Sequence, residues 1–356
     1  MRPLTRPLPL AAVLWLAALA ALPATAEASG ASEAARVKVI QAALPAVVKI
    51  QGTPVYTGGE DAVWGSGFFY TNRRIVTNYH VVDGLKNLTV TLHDGRSYPA
   101  EVFAVDRGID LAILEVQGTT APATLTFART DQVLAGQTAI VLGSPFGKRN
   151  LVSLGIVAGS GPFDYVGQLG GDDVGIEIPE IYYTDARVEP GNSGGPLLDG
   201  QGRVIGIIDA VLGGASGIGG LGIAIPAYLV VQSIHDLEQF GVPQRGWLGA
   251  TLVDLTELDP LTLRLAGLES TQGAMVDRVL AGSPAEAAGL QGARRDRYGK
   301  LVELGDVIVA VGGKAVKNRF DVVREIARRR PGEEVELTLW RNGKKTTVTV
   351  QLAARR

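Results

Sequence analysis

The feature that most constrains this fold is a succession of short apolar runs, separated by Gly, Pro and Asp. No long helical period appears before Tyr228. Short, regularly spaced runs of this kind predict antiparallel strands in a β-barrel or a β-sandwich, and do not decide between the two. The runs are Val47–Ile50, Gly65–Tyr70, Ile75–Asn78, Leu88–Leu92, Ala100–Asp106, Leu111–Val116, Gln137–Leu142, Val152–Gly159 and Ile181–Thr184.

A second unit begins near residue 246. Helical spacing over residues 227–240 ends at Gly241-Val242-Pro243, so we expect a linker at residues 241–245. Residues 27–245 carry 14 basic and 22 acidic side chains, whereas residues 246–356 carry 18 basic and 14 acidic ones. The change of charge supports a domain boundary, and neither half is basic enough to predict binding to nucleic acid.

The second unit mixes helix and strand patterns. An apolar stretch opens at Gly246, and Phe320–Arg330 has helical spacing. Val335–Trp340 and Thr346–Leu352 flank an Asn-Gly turn, which predicts a hairpin. We therefore expect a small α+β domain.

Residues 1–26 have the plan of a secretory signal peptide. Two arginines precede the apolar run Leu8–Leu22, and Ala24-Thr25-Ala26 is a small-x-small cleavage pattern. An uncleaved membrane anchor is the alternative, although the run is short for a span. Residues 27–36 are rich in Ala, Ser and Glu and predict a tether. The sequence has no cysteine, which excludes disulfides, a thiolate nucleophile and a Cys-type zinc site.

The segment E-P-G-N-S-G-G-P-L at residues 189–197 places Ser193 among three glycines and two prolines. We expect such a serine on a tight, exposed turn whose amides converge on one point. An accessible Oγ with N–H donors near it is what an acyl-transfer nucleophile needs. A glycine-rich hairpin loop without chemistry is the alternative.

Two upstream residues supply a candidate base and a candidate acid. His80 lies at the end of a predicted strand, whereas His93 and His235 are predicted to be structural or solvated. Asp110 precedes a buried apolar run, where an acid is costly unless it is paired with a group such as a His N–H. An Asp that only caps a turn is the alternative. The order His, Asp, Ser is one of those known for catalytic triads.

Four motifs occur in order along the chain: V-T-N-Y-H-V-V at residues 76–82, D-L-A-I-L at 110–114, G-S-P-F-G at 143–147 and G-N-S-G-G-P-L at 191–197. Together they resemble the HtrA/Deg family, which are trypsin-like serine proteases followed by PDZ domains. Leu221–Pro226 is similar to the family's G-F-A-I-P segment, with Ile in place of Phe. The resemblance covers about residues 37–355. It implies a mostly β chain with a chymotrypsin-like double β-barrel over 37–240 and a small α+β PDZ domain over 246–356.

The resemblance also implies roles for individual residues. Ser193 attacks the peptide carbonyl, His80 takes and returns the proton, and Asp110 fixes the histidine tautomer. The amides of Gly191 and Ser193 form the oxyanion hole. No cofactor and no metal are implied.

By the same resemblance, the substrate pocket is lined by Val188, Gly222, Ile223 and Ala224. These residues are apolar or small, so we expect Val, Ala, Ile or Leu at the P1 position of the substrate. Arg187 and Glu189 depart from the family's usual residues. Their charges either influence the pocket or pair with each other and face solvent.

In the second domain, Gly246, Trp247, Leu248 and Gly249 resemble the PDZ loop that holds a peptide's C-terminal carboxylate on backbone amides. The family implies an exported, ATP-independent endopeptidase of protein quality control in the periplasm. It acts on unfolded or C-terminally exposed polypeptides as a homotrimer, with inner-membrane attachment only if the N-terminal segment stays uncleaved. The alternative is a peptide-binding chaperone or scaffold with a vestigial protease site. An esterase is disfavoured because no G-x-S-x-G strand–helix context occurs.

Overall fold

The structure is a computed structural model that describes residues 25–55, 63–129, 133–144, 151–165, 176–212, 220–268 and 270–354. The predicted signal peptide lies outside these residues except for its last two positions. Across the described segments, no helix combines the length and the apolar character that a membrane crossing requires.

The N-terminal segment differs from the expected tether. Helix α1 spans Thr25–Ala43, and a 3-10 turn over Leu44–Ala46 leads into the first strand. Val39 and Ile40 are half-buried and pack against the apolar core, so the C-terminal part of α1 belongs to the folded domain. The tether predicted for residues 27–36 is therefore part of a helix that continues into the folded domain.

A closed antiparallel barrel follows. The strand order around this barrel is β1-β2-β3-β6-β5-β4. Its strands are β1 (Val47–Pro54), β2 (Val63–Phe69), β3 (Arg74–Asn78), β4 (Leu85–Thr91), β5 (Ser97–Asp106) and β6 (Leu111–Val116).

A second closed barrel has the order β10-β11-β12-β9-β8-β7. Its strands are β7 (Thr138–Gly143), β8 (Leu151–Tyr165), β9 (Ile176–Thr184), β10 (Pro196–Leu198), β11 (Val204–Leu212) and β12 (Leu221–Pro226). Phe68 and Leu111 of the first barrel share an apolar core with Ile140 and Ile207 of the second. The barrels therefore pack on each other, and the double barrel expected from the resemblance is confirmed.

Helix α2 (Ala227–Phe240) ends at Gly241, which adopts a left-handed φ of 73°. The following linker is fastened to the first domain. The amide of Gln244 donates to Asp236, and Arg245 pairs with Asp106. The predicted linker is thus a short connection held in place at its last two residues.

The C-terminal domain combines a five-strand sheet path, β14-β15-β18-β20-β21, with short helices over a separate apolar core. Strand β14 lies at the sheet edge next to helix α5, and β20 and β21 form the expected hairpin. The elements are β13 (Gly246–Trp247), β14 (Ala250–Asp254), α3 (Pro260–Leu265), β15 (Ala274–Val279), α4 (Pro284–Ala287), β16 (Arg294–Arg295), β17 (Leu301–Glu303), β18 (Val307–Val311), β19 (Lys314–Ala315), α5 (Arg319–Ala327), β20 (Glu334–Arg341), β21 (Lys344–Gln351) and β22 (Ala353–Ala354).

Candidate active site

His80 and Asp110 meet at the edge of the first barrel. His80 follows β3, Asp110 precedes β6, and these two strands are paired. The ring Nδ1 of His80 lies 2.6 Å from Asp110 Oδ2, and the His80 amide donates to Oδ1 at 2.9 Å. A carboxylate that accepts both donors fixes the ring orientation and keeps the proton on Nδ1, leaving Nε2 free to accept one.

The backbone holds Asp110 in an unusual conformation. Its φ is 51°, in the left-handed region that non-glycine residues rarely adopt. The side-chain amide of Asn78 and the backbone amide of Tyr79 both donate to the Asp110 carbonyl, each at 3.1 Å. These two bonds maintain the conformation that turns the carboxylate toward His80.

Ser193 lies on the predicted glycine-rich turn, in the second barrel. Gly191 and Gly194 have φ angles of 98° and 84°. A Cβ on Gly194 would lie 2.1 Å from the carbonyl oxygen of Ser66, so only glycine fits there. Hydrogen bonds between described residues do not use the amides of Gly191 or Ser193, which leaves both available as oxyanion donors.

Ser66 connects this turn to the first barrel. Its hydroxyl donates to the Gly191 carbonyl at 2.5 Å, and its amide donates to the Ser193 carbonyl at 2.8 Å. The Thr77 hydroxyl donates to the Ser66 carbonyl at 2.7 Å. The two barrels are therefore joined directly beneath the serine.

The Ser193 hydroxyl donates to the backbone carbonyl of Asp209 at 2.9 Å. The hydrogen bonds found among described residues include none between this hydroxyl and the His80 ring. A rotation of the Ser193 side chain is needed to bring Oγ to His80, and long or absent catalytic hydrogen bonds are common when no substrate is bound.

Asp209 brings a second carboxyl to the site. Its Oδ1 lies 3.7 Å from His80 Nδ1, and its carboxyl has an oxygen within 4.8 Å of the Asp110 carboxyl. Burial and the negative charge of Asp110 raise the pKa of Asp209 to about 7, although His80 opposes the shift. Burial also disfavours protonation of His80, but the hydrogen bond and charge of Asp110, together with the charge of Asp209, raise the His80 pKa overall.

His80, Asp110 and Asp209 also form the candidate metal cluster within the described segments, since their ligand atoms lie within 4.8 Å of one another. The 2.6 Å contact between His80 and Asp110 has the length of a hydrogen bond. Two atoms that bind one metal at about 2 Å each lie farther apart than this, so the observed arrangement suits proton transfer better than metal binding.

The residues expected to line the substrate pocket divide between two faces of β12. A Cβ on Gly222 would lie 2.5 Å from Val188 Cγ2, and Ala224 shares an apolar cluster with Val188. The Ile223 side chain packs instead into the core with Ile225, because neighbouring strand residues point to opposite faces. The Ile223 side chain therefore does not lie beside Val188, contrary to the expectation that it lines the pocket.

Arg187 and Glu189 form an ion pair with each other. The Arg187 side chain is 84% exposed, while that of Glu189 is 27% exposed. Of the two alternatives, the structure therefore shows the one in which these charges pair with each other, with Arg187 facing solvent.

The candidate carboxylate loop lies at the start of the PDZ-like domain. The Gly246 amide donates to the Arg329 carbonyl at 2.7 Å, so it is occupied, in contrast to the role expected for this residue. Trp247 pairs with Ala353, and the carbonyl of Leu248 accepts the Ala285 amide. Gly249 has a φ of 78° and turns the chain into β14.

Sequence reasoning missed Asp209 and Ser66. Asp209, within V-I-G-I-I-D-A-V-L, shows the same pattern as Asp110, an acid in an apolar run that is costly to bury without a partner. Ser66 carries no comparable pattern, because a serine between two glycines is common in turns.

Comparison with protein families matches two segments. Residues 65–207 match a trypsin-like peptidase domain, and residues 246–352 match a PDZ domain. Together with the double barrel and the His80–Asp110 pair, these matches define a trypsin-like peptidase domain joined to a PDZ domain.

A Chlamydia trachomatis serovar D protein named "Probable periplasmic serine endoprotease DegP-like" is 38% identical over 294 residues, covering 82% of this chain and 54% of the relative. A Rhizobium meliloti protein of the same name is 35% identical over 298 residues, covering 81% and 53%. The solved structure of the HtrA-type protease AlgW with a tripeptide has 30% identity and a TM-score of 0.72, covering 90% of this chain and 97% of that one. The chain belongs to the HtrA/Deg family, and it spans about half the length of the two curated relatives.

Proposed function

We propose that this protein is a serine endopeptidase that uses Ser193, His80 and Asp110. The observation that carries the proposal is the two-point contact of His80 with Asp110 beside a glycine-rich turn that bears Ser193. In the reaction, Ser193 leaves the Asp209 carbonyl, gives its proton to His80 Nε2 and attacks the scissile carbonyl. The amides of Gly191 and Ser193 stabilise the oxyanion, and His80 then protonates the leaving amine.

The pocket chemistry supports cleavage after small aliphatic residues. Val188, Gly222 and Ala224 offer an apolar surface without a charge, because the guanidinium of Arg187 pairs with Glu189. A pocket of this kind favours Val, Ala, Ile or Leu at P1 by burial of the apolar side chain.

The PDZ domain is proposed to bind polypeptide C-termini. Strand β14 is a sheet edge beside α5, and an extended peptide can add to such an edge as a further strand. Trp247, Leu248 and Gly249 then supply the loop that holds the terminal carboxylate. The Gly246 amide does not take part, because it already donates to the Arg329 carbonyl.

The cellular setting is proposed from the relatives and the N-terminal pattern. Both curated relatives are named periplasmic, and residues 1–26 have the plan of an export signal. We therefore infer an exported, periplasmic enzyme that degrades or processes misfolded or signalling polypeptides, in the homotrimer that the family resemblance implies.

A fluorophosphonate probe, which reacts with activated serines, tests the enzymatic proposal against a non-proteolytic chaperone. We expect covalent labelling of the full chain and of the variant Ser270→Ala, since Ser270 is exposed in the second domain. The variant Ser193→Ala should remain unlabelled. Absence of labelling in the unmodified chain would favour the chaperone.

A further inference from the structure

A second buried acid lies in the catalytic cluster and has no role in the proposed triad. Asp209 is 8% exposed and lies on β11, at a register shift between Ile208 and Ala210. A bulge of this type leaves one residue outside the ladder and redirects its side chain. Here the redirected side chain is a carboxyl that faces the charged centre of the site.

Residue 209 lies close to every member of the triad. Its carbonyl accepts the Ser193 hydroxyl, and its carboxyl lies 3.7 Å from His80 Nδ1. Carboxyl oxygens of Asp209 and Asp110 lie within 4.8 Å of each other. Two buried carboxylates this close repel each other when both are ionised, which favours a protonated member of the pair. Because Asp110 already accepts two hydrogen bonds from His80, Asp209 is the member that takes the proton.

We propose that Asp209 is a positioning residue that donates a hydrogen bond to Asp110 and, when it ionises, places a second negative charge beside His80. The inference rests on the proposed proteolytic function, which supplies the reaction that these groups serve. Protonated Asp209 holds the Asp110 carboxylate toward the histidine. Ionised Asp209 stabilises the imidazolium that forms when His80 takes the proton of Ser193.

The titratable groups that act on Asp209 in the described part of the chain are Asp110, at the turn before β6, and His80, at the end of β3. Since the pKa of Asp209 is raised to about 7 and that of His80 is also raised, the two groups titrate together. The acid limb of kcat/KM should therefore extend over two coupled ionisations, and it should lie at higher pH than a single Asp–His pair would give.

The test is the pH profile of kcat/KM on a chromogenic peptide substrate for the full chain and for Asp209→Asn and Asp209→Ala. The asparagine keeps a donor to Asp110 but never ionises. We expect its acid limb to become a single ionisation, with a midpoint lower by on the order of half a pH unit or more. In the alanine variant the limb should shift likewise, and kcat should also fall about tenfold because Asp110 loses a donor.

Asp199→Asn is the matched control. Asp199 is a buried acid in the same barrel, but it accepts hydrogen bonds from Gln201 and Arg203 and has no contact with the triad. Its acid limb should match that of the unmodified chain. If the acid limb of Asp209→Asn matched that of the unmodified chain, the inference would be overturned. Equal losses of kcat in both Asp209 variants, again with an unchanged acid limb, would overturn it as well.

A second readout does not depend on turnover. The ring nitrogens of His80 can be titrated by NMR in Ser193→Ala with and without Asp209→Asn. We expect a lower titration midpoint for His80 when residue 209 is Asn. Equal midpoints would contradict the proposed role of Asp209. If the unmodified chain hydrolyses nothing, the proposed function fails, whereas this titration still decides the role of Asp209.

Discussion

The guanidinium of Arg245, in the connection between the two domains, forms a two-pronged ion pair with the buried carboxylate of Asp106. Asp106 is 1% exposed and also accepts hydrogen bonds from the Ser233 hydroxyl and the Gly108 amide. It caps the turn whose next residue is Asp110. The connection to the PDZ domain is thus fastened to the segment that presents Asp110, the acid of the proposed triad.

Removing Arg245 should destabilise the first domain. Arg245→Ala leaves a buried charge without its partner, which typically costs about 3 kcal/mol or more. We expect the free energy of unfolding, measured by urea denaturation, to fall by that amount. Arg278→Ala is the control, because this exposed arginine lies 3.9 Å from its partner Asp277 and should change stability by less than about 1 kcal/mol. Equal effects of the two substitutions would contradict a structural role for the Arg245 pair.

A peptide with a hydrophobic last residue and a free carboxylate should change the rate on a chromogenic substrate, and activation is the expected direction. The peptide must bind the active and inactive forms with different affinity to do so. Amidation removes the charge that the backbone donors bind, so the half-maximal peptide concentration should rise about tenfold or more. Equal potency of free and amidated peptides would show that the domain does not recognise the carboxylate.

Stability should decrease as the pH rises from about 4 to above 7, because Asp209 has its pKa raised to about 7 in the folded state. The folded chain then binds one proton more than the unfolded chain in this range, and this proton is lost as the pH passes the folded pKa. The contribution is at most about 4 kcal/mol. Urea denaturation at several pH values should show that the free energy of unfolding of Asp209→Asn depends less on pH than that of the unmodified chain. An identical pH dependence would refute this prediction.

Much of the fold was predictable because local patterns and tertiary structure agree. The apolar runs became barrel strands, and the Asn342-Gly343 turn joined β20 to β21. The choice of barrels over a sandwich came from the family motifs, since strand spacing alone is compatible with both. Residues 27–36 were misjudged because a segment rich in Ala and Glu has high helix propensity, which outweighed its polar character.

At the site, His80 and Asp110 were predictable because a buried acid needs a partner. The orientation of Ser193 toward the Asp209 carbonyl was not, because a side-chain rotamer depends on neighbours that are distant in sequence. The bulge that turns Asp209 inward is likewise a property of strand pairing, and no local pattern encodes it. The hydrogen bond that occupies the Gly246 amide was also not predictable, because its acceptor, the Arg329 carbonyl, lies just after the end of α5.

The substrate pocket should become narrower in Gly222→Ala. The added Cβ would lie 2.5 Å from Val188 Cγ2, so one of the two groups must move. We expect cleavage sites mapped by mass spectrometry to shift from Leu and Ile toward Ala at P1. A majority of cuts after Asp or Glu, in either protein, would mean that Arg187 determines the specificity.

The central claim is that Ser193, His80 and Asp110 hydrolyse peptide bonds together. Its most direct test is mass-spectrometric mapping of the casein fragments produced by the full chain and by Ser193→Ala and Asp110→Asn. We predict fragments from the unmodified chain, none from Ser193→Ala, and a rate lower by on the order of 10⁴ for Asp110→Asn, which permits the wrong histidine tautomer. Casein cleavage by Ser193→Ala at a rate close to that of the unmodified chain would contradict the claim.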